Sequence, residues 1–409
     1  MSQRQKIAKD LVEYFRLVGK PTSVFSPFNR HLIRELATLI ETRPMPWLLK
    51  ASEQRSPLET SLLLPAGLHR QVLLNSPGTQ ELRRFYPSVG GTRNPLDHDF
   101  SRILLETVNS LKEELTETIE NDTIQTNETA RGIIWLLPTL LTRWEAIHLV
   151  DLGASAGLNL VADQRNFTFE GVEDDVDENV SVGQATNPQF RIQCDPQLLK
   201  SCGVATPDLL SYPTILSRSG CDLNPFPLSS ETDRAKLKSF VWPDQTERFQ
   251  RLEEGIEAHQ SITARQQEEI AVQPVSLPHG LPDFLRSLEE KFETTTTSPN
   301  APVVIYNTYM TEYLENKGRD LARHIQEWAY EKSDRTVLWC QSEPPRTDEA
   351  KPPEQHWCLW TVDMWGGEGG QHQHKSWTLG WVHPHCSQVD WIDPPGGLAD
   401  YQANFASQQ

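Results

Sequence analysis

Apolar residues in the first 145 positions recur at helical spacing. Phe100, Ile103, Leu104, Val108, Leu111, Leu115 and Ile119 stand three or four apart with Glu and Lys between them, which predicts one amphipathic helix. Leu32, Ile33, Leu36, Leu39 and Ile40 predict another, and residues 1–20 alternate charge and apolarity like a surface helix. Pro and Gly in RPMP, SPLE and YPSVGGTRNP punctuate the region. From residue 147 the texture changes. Short apolar runs, IHLVDLG, PTILSRSGCDLN, APVVIYNTY and RTVLWCQSE, alternate with helical patterns, as in a parallel sheet with crossover helices. HWCLWTVDMW, GGEGG and SWTLGWVHPH read as two strands joined by a glycine turn. The expected architecture is α/β: a helical region over 1–145, then residues 146–409 forming a mostly parallel seven-stranded sheet that ends in an antiparallel hairpin. The acidic stretch EGVEDDVDENVSVGQATNPQF fits neither rhythm. With the strand-like RIQC it predicts a solvated insertion around 168–212.

Charge narrows the function classes. The 409 residues carry a net charge of −18, which opposes general nucleic-acid binding and an anionic membrane surface as partner. A small-molecule or protein substrate is the better expectation. No apolar run approaches the roughly 20 residues that span a bilayer, and residues 1–20 lack the apolar core of a signal peptide. A cytoplasmic protein is therefore expected. The six cysteines are scattered without a C-x-x-C pair, as suits reduced, buried thiols.

The chemistry concentrates in HLVDLGASAGLNLVADQRNF, His148 to Phe167, a strand, a tight turn and a helix start. A P-loop needs Lys after its second glycine, and none follows Gly157. The dinucleotide pattern G-x-G-x-x-G, begun on Gly153, places Ser155 and Leu158 on its other two glycines. The pattern acidic-x-G-x-G-x-G of class I S-adenosylmethionine methyltransferases fits better, with Asp151, Gly153 and Gly157 in place and Ser155 for one glycine. Glycines let the backbone approach a ligand, and a following helix N-terminus presents free N–H groups. A plain strand-to-helix turn is the alternative. GCDLNPFPL follows the next strand and resembles the methyltransferase pattern G-x-D-x-[SN]-P, which makes Asp222 the candidate acceptor for ribose hydroxyls. Asp222 opening an Asx turn is its bland counterpart. Ala154, Asn159 and Leu223 flank the turn and the acid and complete this part of the cofactor-binding set.

SPLETSLLLPAGLH, FYPSVGG, QTNETAR, VDLGASAGLNL, GCDLNP, WPDQTERFQRL and the terminal HPH followed by Trp391 occur in this order over roughly residues 55 to 392. Together they resemble an uncharacterised group, domain-of-unknown-function family 2332. The resemblance implies a class I methyltransferase-like sheet behind a helical N-terminal region, and no assigned reaction. Relatives tend to carry a Gly-Asp pair before the Leu-Pro corresponding to Leu281 and Pro282, and Ser276 stands at about that position here. The resemblance also adds Asn127 and Arg131 of QTNETAR to the cofactor-binding set, beside Glu128; a helix start capped by Thr126 is the other reading.

YNTYMTEYL follows the fourth strand, where the fold would face the methyl acceptor, so Asn307 and Tyr309 are candidate substrate-positioning residues, joined by Glu343 at the end of the fifth strand. His372, His374, His383, His385 and Cys386 invite a zinc reading on the hairpin, with His383 and His385 on one face, but no second dense cluster accompanies them and no metal is expected. G-A-S-A-G also spells a G-x-S-x-G nucleophile elbow, so a serine hydrolase using Ser155, Asp222 or Glu343, and His383 is the alternative enzyme. The leading expectation is a methyltransferase using S-adenosylmethionine. A non-catalytic interaction protein on the same fold is the third reading.

Overall fold

A computed structural model of the protein describes residues 3–406, apart from 24, 44, 125–127, 172–178, 187–188, 205–210, 267–269, 294–297, 299, 333–334, 346–350, 355, 367–372 and 393–394. The chain divides into two compact units, Met1–Asn127 with Phe226–Glu253, and Glu128–Pro225 with Glu254–Gln409. The sheet-bearing unit thus begins ahead of residue 146. The helix Ile133–Thr142, IIWLLPTLLT, is apolar all round, and every one of its residues is buried. Such a helix belongs inside a core rather than on a surface.

The helical unit follows the expected spacing. Leu32, Ile33, Leu36, Leu39 and Ile40 are all buried on the helix Pro27–Thr42, which Ser26 caps by accepting from the Asn29 N–H. Ser56 and Glu59 form a capping box that starts Pro57–Leu73. The single helix expected from Phe100 to Ile119 is two, Phe100–Ser110 and Lys112–Asn121, broken at Leu111 with φ −113° and ψ 25°. The apolar stripe runs through the break, since Leu104, Val108, Leu111, Leu115 and Ile119 are all buried. Spacing alone therefore does not reveal it. Phe226–Glu253 joins this unit through polar links: Lys236 pairs with Asp122 at 2.7 Å, and the His69 ring lies 3.2 Å from the Ser239 carbonyl.

In the other unit the strands are β1 (Ala146–Leu152), β2 (Phe167–Glu170), β3 (Val180–Val182), β4 (Phe190–Gln193), β5 (Thr214–Asp222), β6 (Ala271–Pro274), β7 (Val303–Thr308), β8 (Val337–Glu343), β9 (Cys358–Gly366), β10 (Gln373–Val382) and β11 (Val389–Trp391). Eight of them form one sheet in the order β11-β10-β9-β8-β7-β1-β5-β6, against the seven expected. The five strands from β8 to β6 pair in parallel, and β9, β10 and β11 add to one edge antiparallel. Two of the eight match none of the six strand-like runs named above: β6, whose four residues are partly exposed and end in proline, and β11, with three residues. The GGEGG turn of the hairpin lies mostly outside the described residues.

Both faces of the central strands are covered, which is why they read as continuous apolar runs. On β7, Val304 and Tyr306 belong to one core with helices Ile133–Thr142 and Leu398–Ala406, while Val303 and Ile305 belong to another with Leu281–Glu293 and Arg319–Glu331. The expected solvated insertion is partly a built element. β3, β2 and β4 make a second sheet whose Phe167, Phe169, Val180, Val182, Phe190 and Ile192 are all buried. Its acidic centre, 172–178, lies outside the described residues.

Candidate functional site

The chain order of the parallel strands locates the site. From β1 the chain winds outward to β5 and β6, then returns to the other side of β1 for β7 and β8. In an open parallel sheet the crevice at such a reversal, past the carboxyl ends of the strands, is where ligands bind. The residues past the ends of β1 and β7 are the glycine turn and the segment Tyr309–Thr311.

The turn is built from left-handed residues at alternate positions. Gly153, Ser155 and Gly157 have φ of +85°, +50° and +73°. These are the three glycine positions of the motif, two of them filled by glycine here, and glycine is favoured there because a Cβ disfavours this conformation. Ser155 adopts it with a side chain. The N–H groups of Gly153 and Ala154 donate to the Cys221 carbonyl at 2.8 and 2.9 Å, and Gly157 donates to the Ala154 carbonyl at 2.7 Å. Leu158–Gln164 continues as a 3-10 segment with a non-helical Val161, not the α-helix expected there. Its start offers no regular helix N-terminus.

Two acids hold the turn in different ways. Asp151 is 4% exposed and accepts the Tyr306 hydroxyl at 2.6 Å. Burial pushes its carboxyl up to about 7, only partly offset by that bond, while the charge of Asp222 adds to the rise. Asp222 is half-buried and accepts from the backbone N–H groups of Ser155 and Asn224, both at 2.9 Å. The second bond is the Asx turn, so that reading of Asp222 holds; the first couples the acid to the glycine turn. Each carboxylate oxygen keeps a lone pair for another donor. Leu223, the next residue, is 65% exposed.

A second group surrounds Glu128, which begins the segment leading into Ile133–Thr142. Its carboxylate accepts the Ala130 N–H at 3.2 Å and pairs with the His385 ring at 3.1 Å, while its carbonyl accepts the Asn159 amide at 3.2 Å. The Asn159 carbonyl in turn accepts the Trp135 indole at 2.9 Å. Arg131 donates to the Pro384 carbonyl at 3.1 Å and lays its guanidinium 5.2 Å from the centre of the Tyr309 ring. Glu128 and Arg131, the asparagine after the glycine turn and the terminal HPH therefore meet, although the sequence separates them by up to 257 positions. Asn127 and Thr126 lie outside the described residues.

The third group is buried. Asn307, fully enclosed, donates to Glu343 at 2.7 Å and accepts the Trp339 indole at 2.7 Å. Glu343 also accepts the N–H groups of Met310 and Thr311 and the Thr311 hydroxyl, between 2.8 and 3.2 Å. Burial raises its carboxyl above the ordinary range, against the pull of these donors. Asn307 and Glu343 thus shape the segment after β7 rather than face an acceptor directly. Tyr309, half-exposed and left-handed at φ +51°, is the member of the three that reaches the surface. Met310 links the groups: its N–H binds Glu343, and its side chain lies where a Cβ on Gly153 would meet it at 3.4 Å.

His383 and His385 do not share a strand face, because β10 ends at Val382 and both lie in the turn that follows. His383 contacts the His385 N–H and the Ser387 hydroxyl, whereas His374 sits on β10 against Asp363; His372 lies outside the described residues. Among the described residues no cluster of metal-ligating side chains occurs, and neither Asp222 nor Glu343 is hydrogen-bonded to His383. All six cysteines are buried and unpaired. Among the described residues, no helix is long and apolar enough to cross a membrane.

Sequence reasoning did not single out Tyr306, Met310 and Thr311 individually, and it read His385 only as a possible metal ligand. A hydroxyl inside an otherwise apolar strand was the available signal for Tyr306. No curated protein matches the chain. The profile of the family described as "Uncharacterized protein conserved in bacteria (DUF2332)" matches residues 13–391, beginning well ahead of the first shared motif at Ser56, and the chain belongs to that family.

Proposed function

We propose that the chain is an S-adenosylmethionine-dependent methyltransferase with a class I methyltransferase-like domain, acting on a small-molecule or protein acceptor. The observation that supports this most is the bond from the Ser155 N–H to Asp222, which joins an acid-glycine turn on β1 to an acid on the adjacent strand at a topological switch point. The residues fit the group. Gly153 is exposed, Asp222 has lone pairs to accept ribose hydroxyls, and Leu223 offers an exposed apolar side chain beside it for the adenine. Asp151, enclosed under the Tyr306 hydroxyl, orients the loop rather than receiving the ammonium group. Arg131 is the nearby cation for the carboxylate end, and the Tyr309 ring over which it lies borders the acceptor side. The cofactor would supply an electrophilic methyl, so the protein's share is chiefly to orient and to exclude water. Ser276 is exposed beyond β6 and brings no acid there.

Isothermal titration with S-adenosylmethionine and S-adenosylhomocysteine tests the reading. Binding by the wild type that Asp222→Ala abolishes is expected. No heat from either ligand on folded protein would end it.

One observation favours the serine hydrolase as a second reading: Ser155 has φ +50° on a sharp turn, as nucleophile elbows do. A fluorophosphonate probe that labels Ser155, with labelling lost in His383→Ala, would establish that reading instead. Neither labelling nor cofactor binding would favour the non-catalytic interaction protein.

A further inference from the structure

β8, β9 and β10 carry two unlike faces. On β9, Trp360, Val362 and Met364 are buried in the core, while Leu359, Thr361 and Asp363 alternate with them on the opposite, half-buried face. Cross-strand register sets Gln341 beside Thr361 and Asp363 beside Ser376. A cavity of about 290 Å³ lies over this face, lined also by Ala322 and Gln326 of the helix Arg319–Glu331. That volume suits a small ligand, at the low end of the range of roughly 300–1,000 Å³ for such sites.

Trp339 and Trp365, 6.4 Å apart and 28° from parallel, belong to the same lining. Trp365 is 3% exposed, and its indole N–H has no acceptor among the described residues. The charged and carboxylate groups of the cavity each have a partner beside them. His374 pairs with Asp363 at 2.9 Å, Lys317 lies 3.7 Å from Glu312, and Glu343 is enclosed by neutral donors. A charged ligand would have to displace one of these partners, since Lys317 already lies beside Glu312 and both Asp363 and Glu343 accept hydrogen bonds within the protein. The hydroxyl, amide and carboxylate groups set in rows across these strands instead match a ligand with many hydroxyls, while the buried indoles, Trp365 stacked on the His374 ring at 4.8 Å, wall the cavity.

We infer that this cavity binds a neutral polyhydroxylated small molecule, a sugar or a cyclic polyol. The cavity shares Thr311 and Glu343 with the third group described above, but none of its lining residues belongs to the glycine turn, and the inference does not depend on the methyltransferase reading.

Saturation-transfer NMR on the full chain, with glucose, galactose, mannose, myo-inositol and maltose as probes, tests it. At least one probe should receive saturation. Thr361→Val combined with Ser376→Ala, near-isosteric changes on a partly exposed face, should weaken its binding about tenfold for two lost neutral hydrogen bonds. Circular dichroism checks that the variant folds, and Gln341→Met provides a second variant if it does not. Failure of every probe with folded wild type overturns the inference, as does binding that neither variant changes. Binding of spermidine alone, lost in Asp363→Asn, would make the site one for amines and overturn the assignment to polyols.

Discussion

The Ser155 N–H donates to the Asp222 carboxylate at 2.9 Å, so the acid that ends one strand fixes the turn that ends its neighbour. The bond uses the backbone of Ser155, and any residue there can make it. What residue 155 decides is the strain of the turn.

Ser155→Gly should stabilise the protein modestly. A left-handed conformation costs a residue with a Cβ roughly 1–2 kcal/mol, and glycine adds roughly 0.4–1 kcal/mol of unfolded-chain entropy in the other direction. The expected net gain is a few tenths to about 1 kcal/mol, read as a raised midpoint of thermal unfolding. Ser155→Ala keeps the strain and should not show it. Equal midpoints for the glycine and alanine variants would refute the strain argument.

Leu223 separates folding from ligand binding. It is 65% exposed, and exposed substitutions away from special features usually change stability by no more than about 0.5 kcal/mol. Leu223→Ser should therefore leave unfolding unchanged. On the methyltransferase reading it should weaken S-adenosylhomocysteine binding about five- to tenfold, the effect of roughly 1 kcal/mol of lost apolar contact. Unchanged affinity would remove Leu223 from the cofactor surface.

Glu343 has two oxygens for four donors: the Asn307 amide, the N–H groups of Met310 and Thr311, and the Thr311 hydroxyl. Glu343→Gln turns one oxygen into a donor and leaves at least one of them unmatched. A buried unsatisfied group costs about 1–3 kcal/mol, so the midpoint of unfolding should fall by several degrees. Glu343→Gln with an unchanged midpoint would show that the carboxylate does not hold this segment.

These residues also show what the sequence made legible. The parallel strands could be read because two covered faces demand continuous apolar runs, and the glycine turn because its left-handed positions favour glycine. β2 and β3 escaped because acidic residues between them masked the alternation of Phe167 and Phe169 with polar neighbours. The Leu111 break escaped because the apolar stripe crosses it unchanged. The pairing of Glu128 with His385 joins residues 257 positions apart, and such a contact leaves no local periodicity to read. Enclosure was equally invisible: Asn307 and Asp222 are both polar residues at strand ends, yet one is sealed and the other half-open.

Asp151 makes the last prediction, a pH dependence of stability. Its carboxyl is raised from the usual 3.8 to about 7 in the folded protein. Between those values the folded state keeps a proton that the unfolded state has lost. Stability from this group is therefore present below about pH 4 and falls as pH rises through 7, by an amount on the order of 4 kcal/mol for three units. His69, His148 and His259 act in the opposite direction, because burial lowers each to about 4 and stability is lost as pH falls from 6.5. A comparison of wild type with Asp151→Asn cancels the histidines. Asparagine can still accept the Tyr306 hydroxyl but has no charge to desolvate. The variant should gain on the wild type as pH rises from about 4.5 to about 8 in denaturant melts. A stability difference that stays constant over that range would show that Asp151 is not held protonated by its burial.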